Sequence, residues 1–505
     1  MPHVPRKPRV PFIGLAWAVG LLVVAALTPS ATGAASAAPP LAFSSCQLEH
    51  PLRLTVFAAE CARLWVPENP QQPNGRAIAL SVVRVPAISR RKQPDPLFVL
   101  AGGPGQAAGS FYASVAGAFE RILRERDIVL VDQRGTGASN RLDCPEEEAD
   151  LERSATTAAI AASTRACLAK LAQRADVAWY TTSLAVQDLE RVRAALGAAR
   201  IDLYGASYGT RVAQQYLRRY PQHTRAVILD GVVPVGRAFG ATAALDAEAA
   251  LQDILARCAR QGPCREAFGD PAGDYRTVRA ALAQHVVPLR LADPATGVAT
   301  QLDFGRDSLA TVLRLASYAP EYAALLPLWL HAAASRGDYV PLAAQSLLFE
   351  RSVTSELAAG MHHSVVCAED VPFFDERNID RARLAATYLG TAQLDGLRTV
   401  CGLWPHGPVD ADLHAPLVTQ VPALLLSGSD DPVTPAAYGA EALRSFPQGV
   451  ALVLQGFGHG QLSAPCVDRL MAQFLARASA QGLDVGCTRL AHPLAFFTSL
   501  DGPPP

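Results

Sequence analysis

Ser207 stands in Gly205-Ala206-Ser207-Tyr208-Gly209, a G-x-S-x-G pattern where the apolar "IDLY" meets a segment of helical period, "RVAQQYLRR". A serine hydroxyl is a weak nucleophile near neutral pH, so it needs a base, and the base needs a carboxylate to orient it. Both residue types follow downstream at the ends of apolar runs. His459 lies in "GFGHG" after "VALVLQ"; Asp430 and Asp431 follow "LLLSGS" and precede "PVTP". Pro432 stiffens the loop behind Asp431, which makes Asp431 the expected acid, with Asp430 the alternative, free to cap or face solvent. Asp230, in "LDGV" after the preceding strand, is another possible acid, since a carboxylate there could also approach a histidine, although a turn or capping duty accounts for it better. Attack on a carbonyl requires donors for the developing oxyanion. "AGGPG" (Ala101 to Gly105) offers close backbone N–H groups and the residue after the serine offers another, so Gly103 with Tyr208 is the expected pair and Gly102 the near neighbour. The order Ser, Asp, His behind an oxyanion loop describes acyl-transfer chemistry on a peptide or small ester.

Those residues must be carried by elements that end in one place. From Ala38 to about Pro96, short alternating runs such as "AIALSVVRVPA" predict antiparallel strands. Beyond Pro96, buried-strand patterns alternate with helical ones: "PLFVLAGGPG", then "FYASVAGAFERILRER", "DIVLVDQRGTG", "SLAVQDLERVRAALG", "IDLYGASYG" and "TRAVILDGVVP". The fold class is therefore α/β, a mostly parallel central sheet flanked by helices, with chemistry at the carboxyl ends of the strands. From about Gly236 to Ala415 the chain becomes mainly helical and Ala-rich, which predicts an insertion. Strand rhythm resumes with "VPALLLSGSDDPVTP" and "VALVLQGFGHG", followed by a helix near Val467 to Ala480 and a disordered "GPPP" tail. The expected organisation is 1–37 leader, 38–235 first core part, 236–415 helical cap insertion, and 416–505 second core part.

The 505 residues carry a formal net charge of −1 and no long basic run, which argues against a nucleic-acid footprint. Lysine occurs only at Lys7, Lys92 and Lys170 while arginine is abundant, so a single arginine carries little weight by itself. Basic Arg6, Lys7 and Arg9, an apolar stretch from Phe12 to Thr28, and Ala35-Ser36-Ala37 read as a cleavable signal, hence export to a periplasmic or extracellular place without stable membrane association afterwards. Ten cysteines support that reading. Pairing sequence neighbours gives Cys46 with Cys61, Cys144 with Cys167, Cys258 with Cys264, Cys367 with Cys401 and Cys466 with Cys487, one of about 945 connectivities. No CxxC occurs, and His362-His363 before Cys367 lacks a ligand spacing, so no metal is expected and no cofactor is implied.

Taken together, "LAGGPG", "DIVLVDQRGTGAS", "IDLYGASYGT", "AVILDGVV", "LLLSGSDDPVTP" and "GFGHG" resemble the α/β-hydrolase peptidases related to proline iminopeptidase and tripeptidyl aminopeptidase. The resemblance spans roughly Ala38 to Pro234 and Ala415 to Leu490. It implies nucleophile Ser207, acid Asp431 and base His459, oxyanion donors from Gly103 and Tyr208, and a cap formed by the inserted helices. Ala101 stands where proline iminopeptidases usually carry His, a departure that bears on prolyl specificity. An exopeptidase acting on N-termini must neutralise a free ammonium. Glu369, with Asp370, in "CAEDVPFF" is the candidate, held by a Cys367–Cys401 link. A carboxylesterase or lipase with the same triad is the alternative activity.

Overall fold

The computed structural model of the protein describes residues 41–144 and 156–502. The leader expected over 1–37 lies outside the described residues, as do the last three residues of the tail. Strands β1 (Ser44–Glu49), β2 (Val56–Pro67) and β3 (Ala77–Val85) pair antiparallel, and β3 pairs antiparallel with β5 (Ile128–Val131). From there the sheet is parallel: β5 lies beside β4 (Leu97–Leu100), β4 beside β6 (Ile201–Ala206), and β6 beside β7 (Thr224–Asp230). The full order is β1-β2-β3-β5-β4-β6-β7-β10-β11, closed by β10 (Ala423–Gly428) and β11 (Gly449–Leu454). Every residue of β4, β5, β6 and β10 is buried, as befits continuous apolar runs covered on both faces. Apolar side chains pack on each face, Val129, Leu203 and Val212 on one and Leu130, Tyr204 and Ile228 on the other.

Between β7 and β10 the chain is largely helical, including α1 (Ala243–Arg260), α2 (Arg306–Ala316) and α3 (Ala359–Glu369). This segment builds a cluster of its own from residues such as Leu251, Tyr275, Phe304, Leu313 and Trp329. It also holds a hairpin, β8 (Val287–Ala292) and β9 (Ala299–Phe304). Its turn is nucleated by Asp293, whose carboxylate accepts the N–H groups of Ala295 and Thr296 at 2.9 Å each. The single helix expected over "FYASVAGAFERILRER" is broken into Ala108–Val115, a 3-10 turn Ala116–Phe119 and Glu120–Leu123. Gly117 weakens the middle, and fully buried Phe119 draws the turn inward. Five disulfides join Cys46–Cys61, Cys144–Cys167, Cys258–Cys264, Cys367–Cys401 and Cys466–Cys487, each cysteine to its sequence neighbour.

Parallel register brings the carboxyl ends of five strands side by side: Leu100 opposite Gly205, Ala206 opposite Asp230, Asp230 opposite Leu426, and Gly428 opposite Leu454. All the residues singled out above as chemically able, apart from Glu369 and Asp370, sit on or directly after these ends.

Candidate active site

Ser207 separates β6 from a helix at Tyr208–Arg219 and takes φ 53°, ψ −121°, a conformation that L residues rarely adopt. Close approach of this helix to the sheet explains the flanking glycines. A Cβ on Gly205 would stand 2.4 Å from the Gly209 carbonyl oxygen, and one on Gly209 would stand 2.3 Å from the Leu100 carbonyl oxygen. The Ser207 N–H donates to the Asp230 carbonyl at 2.8 Å, tying the turn to β7. Tyr208 opens the helix, so its N–H has no partner in the helical ladder. Gly103, at φ +105°, lines the same cleft as Ser207 and Tyr208. Gly102 differs: its N–H donates to Gln106 Oε1 at 3.3 Å. Gly103 and Tyr208, the two positions expected to supply oxyanion donors, thus line one cleft with Ser207.

Asp431 lies on the loop after β10, with its side chain buried, and its two oxygens have different duties. Oδ1 accepts the N–H groups of Val433 and Thr434, both at 2.8 Å; Oδ2 accepts the Thr434 hydroxyl at 2.8 Å. His459 Nδ1–H donates to this carboxylate, 2.9 Å from Oδ2 and 3.0 Å from Oδ1. Asp430 turns the other way, toward Arg257 of α1, whose Nη2 donates to it at 3.2 Å. The structure thus brings Asp431, not Asp430, to the histidine. Among the described residues no hydrogen bond joins Ser207 Oγ to His459. Burial works against a charged His459 ring, but the Asp431 carboxylate and its hydrogen bond, with Asp230 behind, outweigh it and raise its pKa above the ordinary value.

The other side of the cleft is charged. Arg211, four residues after Ser207, makes a bidentate pair with Asp370, with Nη1 and Nη2 at 2.9 and 2.7 Å from its oxygens, and both residues line the cleft. Asp370 also accepts the Phe239 N–H at 2.6 Å. Glu369 does not line the cleft. It is fully buried beneath it, accepting Thr182 N–H at 2.6 Å and Thr182 Oγ1–H at 2.7 Å, with the Tyr208 hydroxyl donating in turn to Thr182 at 2.7 Å. Burial pushes the Glu369 carboxyl up to about 7, against the pull of Arg211 and the Thr182 donors.

Several residues at the site had no sequence signal. Thr434 bridges acid and base, its Oγ1 lying 3.2 Å from His459 Nδ1. Tyr318, just after α2, accepts the His459 N–H on its carbonyl at 2.8 Å and sets its ring edge-on at 5.1 Å. Arg211 was one arginine among many, distinguishable only by standing one helical turn from the serine.

Fold and sequence together define the class of fold: the chain has the α/β-hydrolase fold, with residues 95–261 similar to the family described as alpha/beta hydrolase fold and residues 386–487 to the family described as TAP-like protein. It is 25% identical over 517 residues to serine protease Hip1 of Mycobacterium tuberculosis, covering 93% of this chain and 96% of that protein. Carboxylesterase B of the same organism is 28% identical over 443 residues, covering 82% of this chain and 83% of that protein. Tripeptidyl aminopeptidase of Streptomyces lividans is 29% identical over 194 residues, 35% of this chain and 36% of that protein.

Proposed function

We propose that the protein is an exported serine exopeptidase that releases N-terminal residues or short peptides through an acyl-enzyme. The observation that carries the reading is the His459–Asp431 pair at the ends of β10 and β11, beside a strained Ser207 whose cleft also presents Gly103, Tyr208, Arg211 and Asp370. In the acylation step the Ser207 Oγ–C bond forms as the Oγ proton passes to His459 Nε2. Asp431 holds the Nδ1–H and balances the imidazolium, and the Gly103 and Tyr208 N–H groups donate to the developing oxyanion. The imidazolium then protonates the leaving amine, and a water repeats the sequence to free the acid.

Recognition of the N-terminus falls to Asp370. It faces the cleft, and with Arg211 and an ionised Glu369 it forms a cluster of two negative charges and one positive, which favours an ammonium. Glu369, the first candidate by sequence, acts from beneath through Thr182 and Tyr208. Residues 236–415 serve as the cap that bounds the substrate, and 1–37 as the export signal. The five disulfides favour an oxidising compartment. Among the described residues no helix is long and apolar enough to cross a membrane.

A carboxylesterase is the second reading, favoured by the relative of that name aligned over most of the chain. Aminoacyl and tripeptidyl anilides compared with short acyl esters separate the two: anilide turnover that vanishes on blocking the substrate amine supports the exopeptidase, and ester turnover alone refutes it. Ser207→Ala must abolish both activities in a folded protein.

A further inference from the structure

One buried carboxylate beside the proposed triad takes no part in these proton transfers. Asp230, the last residue of β7, is 1% exposed, yet its groups reach both halves of the machinery. Its carbonyl accepts the Ser207 N–H at 2.8 Å. Its carboxylate accepts the Gln461 N–H, two residues beyond His459, at 3.0 and 2.9 Å, and the Tyr204 hydroxyl of β6 at 2.8 Å. Gln461 is fully buried and its side-chain amide donates to the Gly458 carbonyl at 2.8 Å, so the turn bearing His459 is closed on itself and hung on Asp230. The next residue completes the junction. Gly231 donates its N–H to the Leu426 carbonyl of β10 at 3.0 Å, and a Cβ there would stand 3.0 Å from His459 Cε1 and 3.2 Å from Thr434 Oγ1.

We infer that Asp230 is a positioning residue for acyl transfer: it fixes the turn of the base relative to the turn of the nucleophile and places a second negative charge behind the imidazolium. The inference rests on the serine-hydrolase reading above. Among the described residues no hydrogen bond joins Asp230 to the His459 ring, which separates its role from that of Asp431. The charged and titratable groups facing His459 are Asp431 on the β10 loop, Asp230 on β7, Arg314 on α2 and the Tyr318 ring just after α2; Tyr204 of β6 faces Asp230. Burial pushes Asp230 up to about 6, opposed by the Gln461 N–H and the Tyr204 hydroxyl, so above that pH the carboxylate is charged and favours a protonated His459.

Asp230→Asn tests this, because an amide oxygen in the place of Oδ2 still accepts both the Tyr204 hydroxyl and the Gln461 N–H, so that the anchor is kept and the charge is lost. The readout is the rate at which a fluorophosphonate labels Ser207, followed against pH, with thermal melting as the check on folding. Labelling is expected to slow about three- to tenfold, and its acid limb to move down by about 0.3 pH unit or more, while KM for an anilide or ester substrate stays within about twofold. Asp230→Leu removes the anchor too and is expected to slow labelling about a hundredfold. A wild-type rate in Asp230→Asn overturns the inference, and so does a slower rate with an unmoved acid limb, the result of a merely structural role. Should Asp230→Leu fail to fold, Asp230→Asn decides alone. Ser207→Ala separates the two readings: a labelled or active Ser207→Ala protein refutes the serine mechanism itself, whereas an inert one beside an unaffected Asp230→Asn refutes only the role of Asp230.

Discussion

Replacing Asp431 by Asn changes one atom, and the surrounding donors dictate how the amide sits. Two backbone N–H groups, from Val433 and Thr434, converge on Oδ1 at 2.8 Å, so the amide oxygen must stay there. The amide nitrogen then takes the place of Oδ2, 2.9 Å from His459 Nδ1, and donates a proton to it. His459 is driven into the tautomer with hydrogen on Nε2, where it cannot accept the Ser207 proton. A base locked in the wrong tautomer costs on the order of 10⁴ in kcat, about 5 kcal/mol of transition-state stabilisation. The shape is unchanged, so KM and the melting temperature should move little. Steady-state hydrolysis of the best anilide or ester, with fluorophosphonate labelling as a second readout, measures the loss. Asp430→Asn is the control. It weakens the pair with Arg257 and should lower the melting temperature while leaving kcat within about threefold. Asp431→Asn retaining a tenth or more of wild-type kcat, with Asp430→Asn inactive, would refute the reasoning.

Glu369 makes stability depend on pH. Its folded-state pKa of about 7 lies above the ordinary 4.5, so between those values the folded chain holds a proton that the unfolded chain has released, and stability falls as pH rises through that window; Glu369→Gln should flatten the denaturation midpoint over this range, and an unchanged slope would contradict the assignment. Gly205→Ala puts a methyl 2.4 Å from the Gly209 carbonyl oxygen, an overlap worth about 3 kcal/mol or more, visible as a large drop in melting temperature or loss of soluble protein. Removing the Cys367–Cys401 bridge by a double alanine substitution frees a loop with a sequence separation of 34 and should cost about 3–4 kcal/mol in chemical denaturation.

Ser207, Asp431 and His459 were legible because each terminates an apolar run, and the ends of parallel strands share one edge of the sheet. The local pattern carries that information. The partners that refine the site were not legible because long-range packing chooses them: Tyr318 meets His459 only once the inserted helices are docked, and Gln461 finds Asp230 across the sheet. Glu369 and Asp370 show the limit sharply. As neighbours at a helix end they point in different directions, so only one can face the cleft, and the sequence does not say which. The β8–β9 hairpin was obscured by its half-exposed faces and by Pro288 and Arg290, which dilute the alternation on which strand recognition depends.

Because each cysteine is bonded to the next one along the chain, the five bridges form five consecutive, unthreaded loops. During N-to-C synthesis every partner is the next thiol to emerge, so oxidation can proceed one pair at a time without waiting for distant sequence. None of the five covalently ties the segment between β7 and β10 to the sheet, so Met361, Val365 and Trp404 of that segment are held against the sheet's core by packing alone.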